Sequence, residues 1–404
     1  MIKDKDIIVI GIQPWDIKIG SNCKNIAEIF AKHNRVLYVN APLDRGTFFR
    51  EKDSEKVQKR IRVIRKEEEG LEKISDNLWN LYPDVLIESS NWLPRGKFFE
   101  LSNKRNNRRF AQSIKDAADK LNFKNYLLFN DQHMFLGYYM KEYLQPKMYI
   151  YYMRDNLIKN PYWKKHGIKA ESGLIAKADV VTNNSLLYTE YGQKYNSHSY
   201  MVGQGCDVTL FDDRNNRIKV ADDLKDIPKP LIGYVGFLTS RRLDIALLEY
   251  LADEKPEWSF VYVGPEDDLF AASSLHDKTN VWFLGPRKPE ELPSYVKGFD
   301  VAMNPQLVND ATIGNYPRKI DEYLAMGKPT IGTLTKAMEY FKEVCYLASS
   351  KEEYIHLIEK ALEEDSQILA TQRMRTGLDH SWENSVNEIY SAIERVAKEK
   401  QIML

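Results

Sequence analysis

Short β-branched runs alternate with helical patterns twice along this chain, and a polar, proline-ended stretch separates the two series. The first series passes through 7–10 (Ile-Ile-Val-Ile), 36–39, 126–129, 148–152 and 180–181. The second begins at 231–235 and continues through 258–263, 281–284, 301–303 and 330–331. Runs this short and apolar suit strands covered on both faces, with helices between them as the crossovers of a parallel sheet. The pattern predicts an α/β chain of two Rossmann-like domains. The stretch 212–230, ending Pro228-Lys229-Pro230, has linker composition. The expected domains are therefore 1–211 and 231–380. A long amphipathic helix over 381–404 follows, with Val386, Ile389, Tyr390, Ile393 and Val396 on one face, and is expected to pack back on the first domain. Ligands of such sheets sit beyond the carboxyl ends of the strands, so two domains facing across a cleft place the expected site there.

Charge and cysteine usage narrow the class. The 404 residues carry 58 basic and 58 acidic side chains. Zero net charge excludes a globally basic nucleic-acid binder, and no nucleic-acid motif accompanies the local basic stretches. Cys23, Cys206 and Cys345 form no CxxC pair, which argues against a disulfide framework or a structural zinc site. No run of about 18 apolar residues is present. The opening apolar run is broken by Gly11 and Pro14, too early for a signal peptide. The expected location is cytoplasmic, peripheral to the inner face of a membrane.

The segment Asn315-Tyr-Pro-Arg-Lys-Ile-Asp-Glu-Tyr-Leu-Ala-Met-Gly-Lys-Pro329 is the most informative. Pro317 suits the first turn of a helix, and Gly327 suits its end. Lys319 and Glu322 are three apart and share one face near the N-terminus. Free amides and a lysine in that turn suit a phosphate, and a carboxylate one turn on can accept both hydroxyls of a ribose.

This segment, in the form PxKxxEYLAxGKP, resembles the nucleotide-sugar-binding segment of GT-B glycosyltransferases of the group-1, family 4-like set, most like members making bacterial polysaccharide and teichuronic acid. Gly233-Tyr-Val-Gly-Phe237 with Arg241, Arg242 and Asp244 is similar to the opening of that family's donor domain. The ordered pieces 258–265, 280–285, 291–295, 178–185 and 205–211 extend the resemblance over most of the chain. It implies that Glu322 binds ribose hydroxyls, that Lys319 and Arg241 or Arg242 face the diphosphate, and that Gly236 lets the backbone approach the donor. Guanidinium groups suit that task because they hold phosphate oxygens bidentately. Asn309, Asp310, Thr312, Asn315 and Tyr316 fall beside the donor, and Pro286 and Arg287 near the base. Many family members carry a glutamate eight residues before the ribose-binding one; here that position is Gly314. Retention of configuration is what the resemblance implies.

In the first half, Asp131 and His133 follow the strand at 126–129, and Arg154 and Asp155 follow the next. The resemblance places such groups near the anomeric centre, and a histidine can transfer a proton or hydrogen-bond near neutral pH. Trp15 and Gly20, in the loop after the first strand, are acceptor candidates, Trp15 by stacking on a sugar ring. Two basic, aromatic stretches, 45–66 and 91–113, suit anionic headgroups. The expected activity is transfer of a sugar from a UDP- or GDP-linked donor to a saccharide or lipid-linked acceptor in cell-surface polysaccharide synthesis. No metal or cofactor is expected, since Glu266-Asp267-Asp268 reads as a loop. A nucleotide-sugar epimerase of the same double fold and a noncatalytic nucleotide-sugar binder are the alternatives. A dinucleotide oxidoreductase is excluded by the lack of GxGxxG after either opening strand.

Overall fold

The computed structural model describes residues 1–17, 21–309, 312–314 and 316–404. The chain divides into two compact units, 1–203 with 385–404, and 204–384. The division falls at 203/204 rather than inside 212–230. Phe211, Leu224 and Ile227 are buried with Val296 and Phe299 of the second unit, so the polar stretch is part of that unit.

In the first unit the strands are β1 (Asp6–Ile10), β2 (Arg35–Val39), β3 (Leu43–Asp44), β4 (Leu71–Ser75), β5 (Leu78–Leu81), β6 (Leu86–Ile87), β7 (Leu127–Asp131), β8 (Met148–Met153), β9 (Val180–Asn183) and β10 (Ser199–Met201). Eight of them form one sheet in the order β10-β9-β8-β7-β1-β2-β5-β4, and β3 pairs with β6. The order reverses at β1, as in a doubly wound sheet. All pairs in the large sheet are parallel except β4 with β5. That hairpin was not expected, because Leu-Glu-Lys-Ile-Ser lacks an apolar run and lies at a half-exposed edge.

The second unit has β11 (Leu231–Val235), β12 (Ser259–Val263), β13 (Val281–Gly285), β14 (Val301–Asn304), β15 (Thr330–Thr333) and β16 (Tyr346–Ala348). They form an all-parallel sheet in the order β13-β12-β11-β14-β15-β16. Central strands are buried along their whole length, β11 and β12 at every residue. The order again reverses beside β11, and this puts the loops after β11 and β14 next to each other at the switch point.

The C-terminal helix is Trp382–Glu399, and from Ser385 onward it belongs to the first unit. Tyr390 stacks on Phe30 at 5.4 Å, and its hydroxyl accepts from Asn34 Nδ2 at 2.9 Å. Lys400 reaches Asp179 at 3.2 Å.

Candidate functional site

In the second unit, β11 ends in the turn at Gly236, which has φ 136°. Only glycine is at ease there. A Cβ at Gly236 would overlap the Lys319 side chain, and one at Gly264, after β12, would overlap the Gly236 carbonyl. The two glycines therefore let both loops and the lysine converge. Lys319 comes from the helix Arg318–Ala325, with Pro317 just ahead of it as N-cap. Its ammonium lies 5.2 Å from the ring centre of Tyr234. The helix is fastened to the strand by Tyr323, whose hydroxyl accepts from the Val235 amide at 2.9 Å.

Glu322 lies one turn further on and is half-buried. Burial pushes its carboxyl up to about 6, against the pull of Lys319 and Arg318. Among the described residues its carboxylate makes no hydrogen bond or ion pair, and Lys319 has no acidic partner. Arg241 and Arg242 are exposed, and neither has a side-chain partner among the described residues. They enter through main-chain contacts with the loop after β14: Leu307 N donates to the Arg242 carbonyl at 2.7 Å, and Asn309 Nδ2 to that of Arg241 at 3.5 Å.

Other expected donor residues are occupied. Thr312 is buried; its hydroxyl donates to the Leu307 carbonyl at 2.5 Å and accepts from Asn309 N at 3.0 Å. Tyr316 is buried, and its hydroxyl donates to Asp321 at 3.0 Å. Both build the loop rather than face a ligand. Arg287 is held by the Tyr295 hydroxyl at 2.5 Å and by Asp223 at 3.0 Å. Asn315 and Asp310 lie outside the described residues. Asp267, within the acidic triplet, caps Ser240 N and Phe270 N, and despite the opposing effect of burial these bonds hold its carboxyl down at about 2. The triplet is thus a turn and helix cap.

In the first unit the residues after β7 and β8 interlock. Asp131 is wholly buried and accepts from Arg154 Nε at 2.9 Å and Nη2 at 3.3 Å. Arg154 Nη1 donates to Asp155 at 2.7 Å. Burial works against the guanidinium charge, but the two carboxylates outweigh it and hold Arg154 above the ordinary arginine range. Gln132, with φ 51°, accepts from the amides of Arg154 and Asp155 and donates to the Asp155 carbonyl and to Glu171. Burial pushes Glu171 up to about 6, against the bonds from Gln132 and Tyr151. His133 is buried, and that burial takes it down to about 4. Its ring is therefore neutral near pH 7, the form that both donates and accepts a hydrogen bond. Trp15 packs edge-on to Tyr38 at 5.0 Å with the Lys24 ammonium 4.7 Å from its ring, so its ring is engaged within the fold. Gly20 lies outside the described residues.

Sequence reasoning assigned no role to Tyr234 and Tyr323 around the lysine, or to Gln132 and Glu171 behind Arg154. Gln132 carried one signal: a non-glycine residue directly after a strand, in an Asn-Asp-Gln-His turn.

Residues 229–364 match the family Glycosyl transferases group 1, and this span lies wholly inside the second unit. The second unit carries a group 1 glycosyl transferase domain. A Bacillus subtilis (strain 168) protein, named as the teichuronic acid biosynthesis glycosyltransferase TuaH, is 29% identical over 187 residues. That stretch spans 45% of this chain and 46% of TuaH, so the match covers about half of each. Among solved structures, sucrose-phosphate synthase of Thermosynechococcus elongatus aligns with 98% of this chain and all of its own, at 14% identity and TM-score 0.64. Anabaena Alr3699/HepE in complex with UDP aligns with 97% of this chain and all of its own, at 13% identity and TM-score 0.64. At these identities the likeness establishes the fold, the GT-B form of two α/β units, each with a mainly parallel sheet.

Proposed function

We propose that the chain is a glycosyltransferase that moves a sugar from a nucleotide-diphosphate sugar to a saccharide or lipid-linked acceptor in cell-surface polysaccharide synthesis, with retention of configuration. One observation carries the reading: a half-buried carboxylate and a lysine, one turn apart and without ion-pair partners among the described residues, meet a glycine turn at the switch point of a group 1 domain. Burying a carboxylate without partners is costly unless a ligand supplies them. The hydroxyls of a ribose would do so for Glu322. The diphosphate would meet Lys319, packed against the Gly236 turn, together with Arg241 and Arg242. Structures of HepE holding UDP, UDP with glucose, and UDP-glucose make a uridine donor the first to try.

On this reading the leaving diphosphate is stabilised by cations, with no metal or cofactor required, and positioning of the two substrates supplies much of the rest. In the first unit, Asp155 is the open carboxylate, its side chain 46% exposed, while Asp131 fixes Arg154 and neutral His133 serves as a hydrogen-bonding group. Among the described residues no helix is long and apolar enough to cross a membrane, and the enzyme would work as a peripheral protein on an anionic membrane face.

Gly314, where many relatives of this type carry a glutamate, favours a second reading: a nucleotide-sugar binder without turnover. A thermal-shift panel of UDP, GDP, ADP and CMP separates the possibilities, since a ligand at a hundredfold excess over Kd stabilises by about 2.7 kcal/mol. A uridine or guanosine nucleotide should raise the Tm of the parent and not of Glu322→Ala. No shift with any nucleotide would remove the donor site. Tight binding with no donor hydrolysis or transfer across an acceptor panel would leave the binder.

A further inference from the structure

The two basic, aromatic stretches of the sequence part company in the structure. In 45–66 most of the cations meet an acid, among them Arg45 with Glu88 at 2.8 Å, Lys59 with Glu72 at 2.5 Å and Arg62 with Glu68 at 2.8 Å, while Arg50, Lys52 and Lys66 have none among the described residues. In 91–113 none of Arg95, Lys97, Lys104, Arg105, Arg108 and Arg109 has an acidic partner among the described residues. The one acid of that stretch, Glu100, is taken by Lys169 at 2.7 Å.

The unanswered charges are interleaved with bare apolar side chains. The helix Lys97–Lys120 presents Phe98 and Leu101 to solvent at 70% and 67% exposure, followed on that side by Lys104, Arg105 and Arg108. Trp92, just before it, is 75% exposed. Beside these lies the start of the helix Pro161–Lys177, with exposed Tyr162 and Ile168. The two segments are joined: Lys165 Nζ donates to the Trp92 carbonyl at 2.9 Å, Asn91 Nδ2 to the Tyr162 carbonyl at 2.8 Å, and Phe99 stacks on His166 at 3.7 Å. A hollow of about 440 Å³ opens between them, lined in part by Phe99, Tyr138, Tyr139 and Ile168.

Five large apolar side chains bared to water on two joined segments are unfavourable unless something covers them. A protein surface could cover the apolar part, but not while leaving a band of uncompensated cations beside it. A bilayer does both: its interface takes up Trp, Tyr, Phe and Leu, and anionic headgroups meet the lysines and arginines. We propose that this face, built from 91–108 and 161–169, docks the chain on a bilayer containing anionic lipid, with Trp92, Phe98 and Leu101 entering the headgroup–acyl boundary. The inference is independent of the donor-site reading, because docking needs no nucleotide sugar.

The test is co-sedimentation of the full chain with vesicles of phosphatidylcholine alone or mixed with phosphatidylglycerol. Partition onto the mixed vesicles only is expected, weakened by added salt. At about 1 kcal/mol per cation, Lys104→Glu/Arg105→Glu/Arg108→Glu should lower partition on the order of a hundredfold. Phe98→Ser/Leu101→Ser should lower it about tenfold or more. Quenching of tryptophan emission by brominated lipid should diminish in Trp92→Phe. These side chains are exposed, so matched melting temperatures are expected; if the triple reversal fails to fold, the glutamine triple replaces it. Equal partition onto neutral vesicles, none onto anionic ones, or undiminished partition by both multiple variants overturns the proposal. So does a self-association lost in Phe98→Ser/Leu101→Ser, which assigns the face to a second copy, or oligonucleotide binding as tight as vesicle binding.

Discussion

Each unit gathers charged residues at the carboxyl ends of its strands, and the two gatherings are opposites. In the first, Asp131, Arg154, Asp155, Gln132 and Glu171 complete one another's hydrogen bonds. In the second, Lys319, Glu322, Arg241 and Arg242 have no such partners among the described residues. A satisfied buried cluster is a piece of architecture: it sets where one exposed group, here Asp155, can stand. An unsatisfied one is held in readiness, and its missing partners describe the ligand.

The largest effect that separates the two should come from Arg154→Ala. It strands Asp131 in the core as an unpaired charge and should cost about 3–5 kcal/mol in urea unfolding. Asp131→Asn in the same chain should restore part of that. A small loss would mean that the first cluster is not architectural.

Next comes pH. His133 titrates at about 4 when folded and near 6.5 when unfolded, so below pH 6.5 protons bind preferentially to the unfolded chain. Stability should therefore fall as pH drops from 6.5 toward 4, by up to about 3 kcal/mol, and His133→Gln should flatten that limb of the curve. Persistence of the full slope in the variant would place the histidine in a wetter setting.

In the second cluster, Lys319→Ala should change unfolding free energy by under about 1 kcal/mol. It should nevertheless weaken UDP binding by about ten- to a hundredfold, measured calorimetrically. A variant that unfolds easily but binds normally would reverse the contrast between the units.

The mildest effect concerns Glu322, whose folded carboxyl sits near 6 rather than 4.5. Native protein holds the extra proton in that window, so its stability is lost as pH rises from 4.5 through 6. Glu322→Gln should remove the cost and raise stability at pH 7 by at most about 2 kcal/mol, while reducing UDP-glucose affinity. Since ribose hydroxyls donate to the ionised form, parent affinity for UDP-glucose should decline below pH 6 and that of the variant should not.

The legible parts of the molecule follow these same lines. Buried strands announce themselves because β-branched runs have few other uses, and β11 was placed to the residue. The β4–β5 hairpin stayed hidden because an edge strand needs no apolar face. The unit boundary was displaced because Phe211, Leu224 and Ile227 are too scattered among polar residues to betray their burial. Spacing put Lys319 and Glu322 on one helix face, and it was the family resemblance that singled them out as donor contacts. The Gly236–Lys319 approach and the Asp131–Arg154 pair join residues distant in sequence, and only the sheet order brings them together.

The C-terminal helix has a consequence for biosynthesis. The first unit contains 385–404, with Tyr390 against Phe30 and Asn34. At about 5–20 residues per second, a ribosome needs on the order of ten to forty seconds to make the intervening second unit. Throughout that interval the face around Phe30 is complete in sequence yet uncovered. The unit translated first is thus the unit finished last, and the nascent chain must keep an apolar face in solution while its partner segment is still being synthesised.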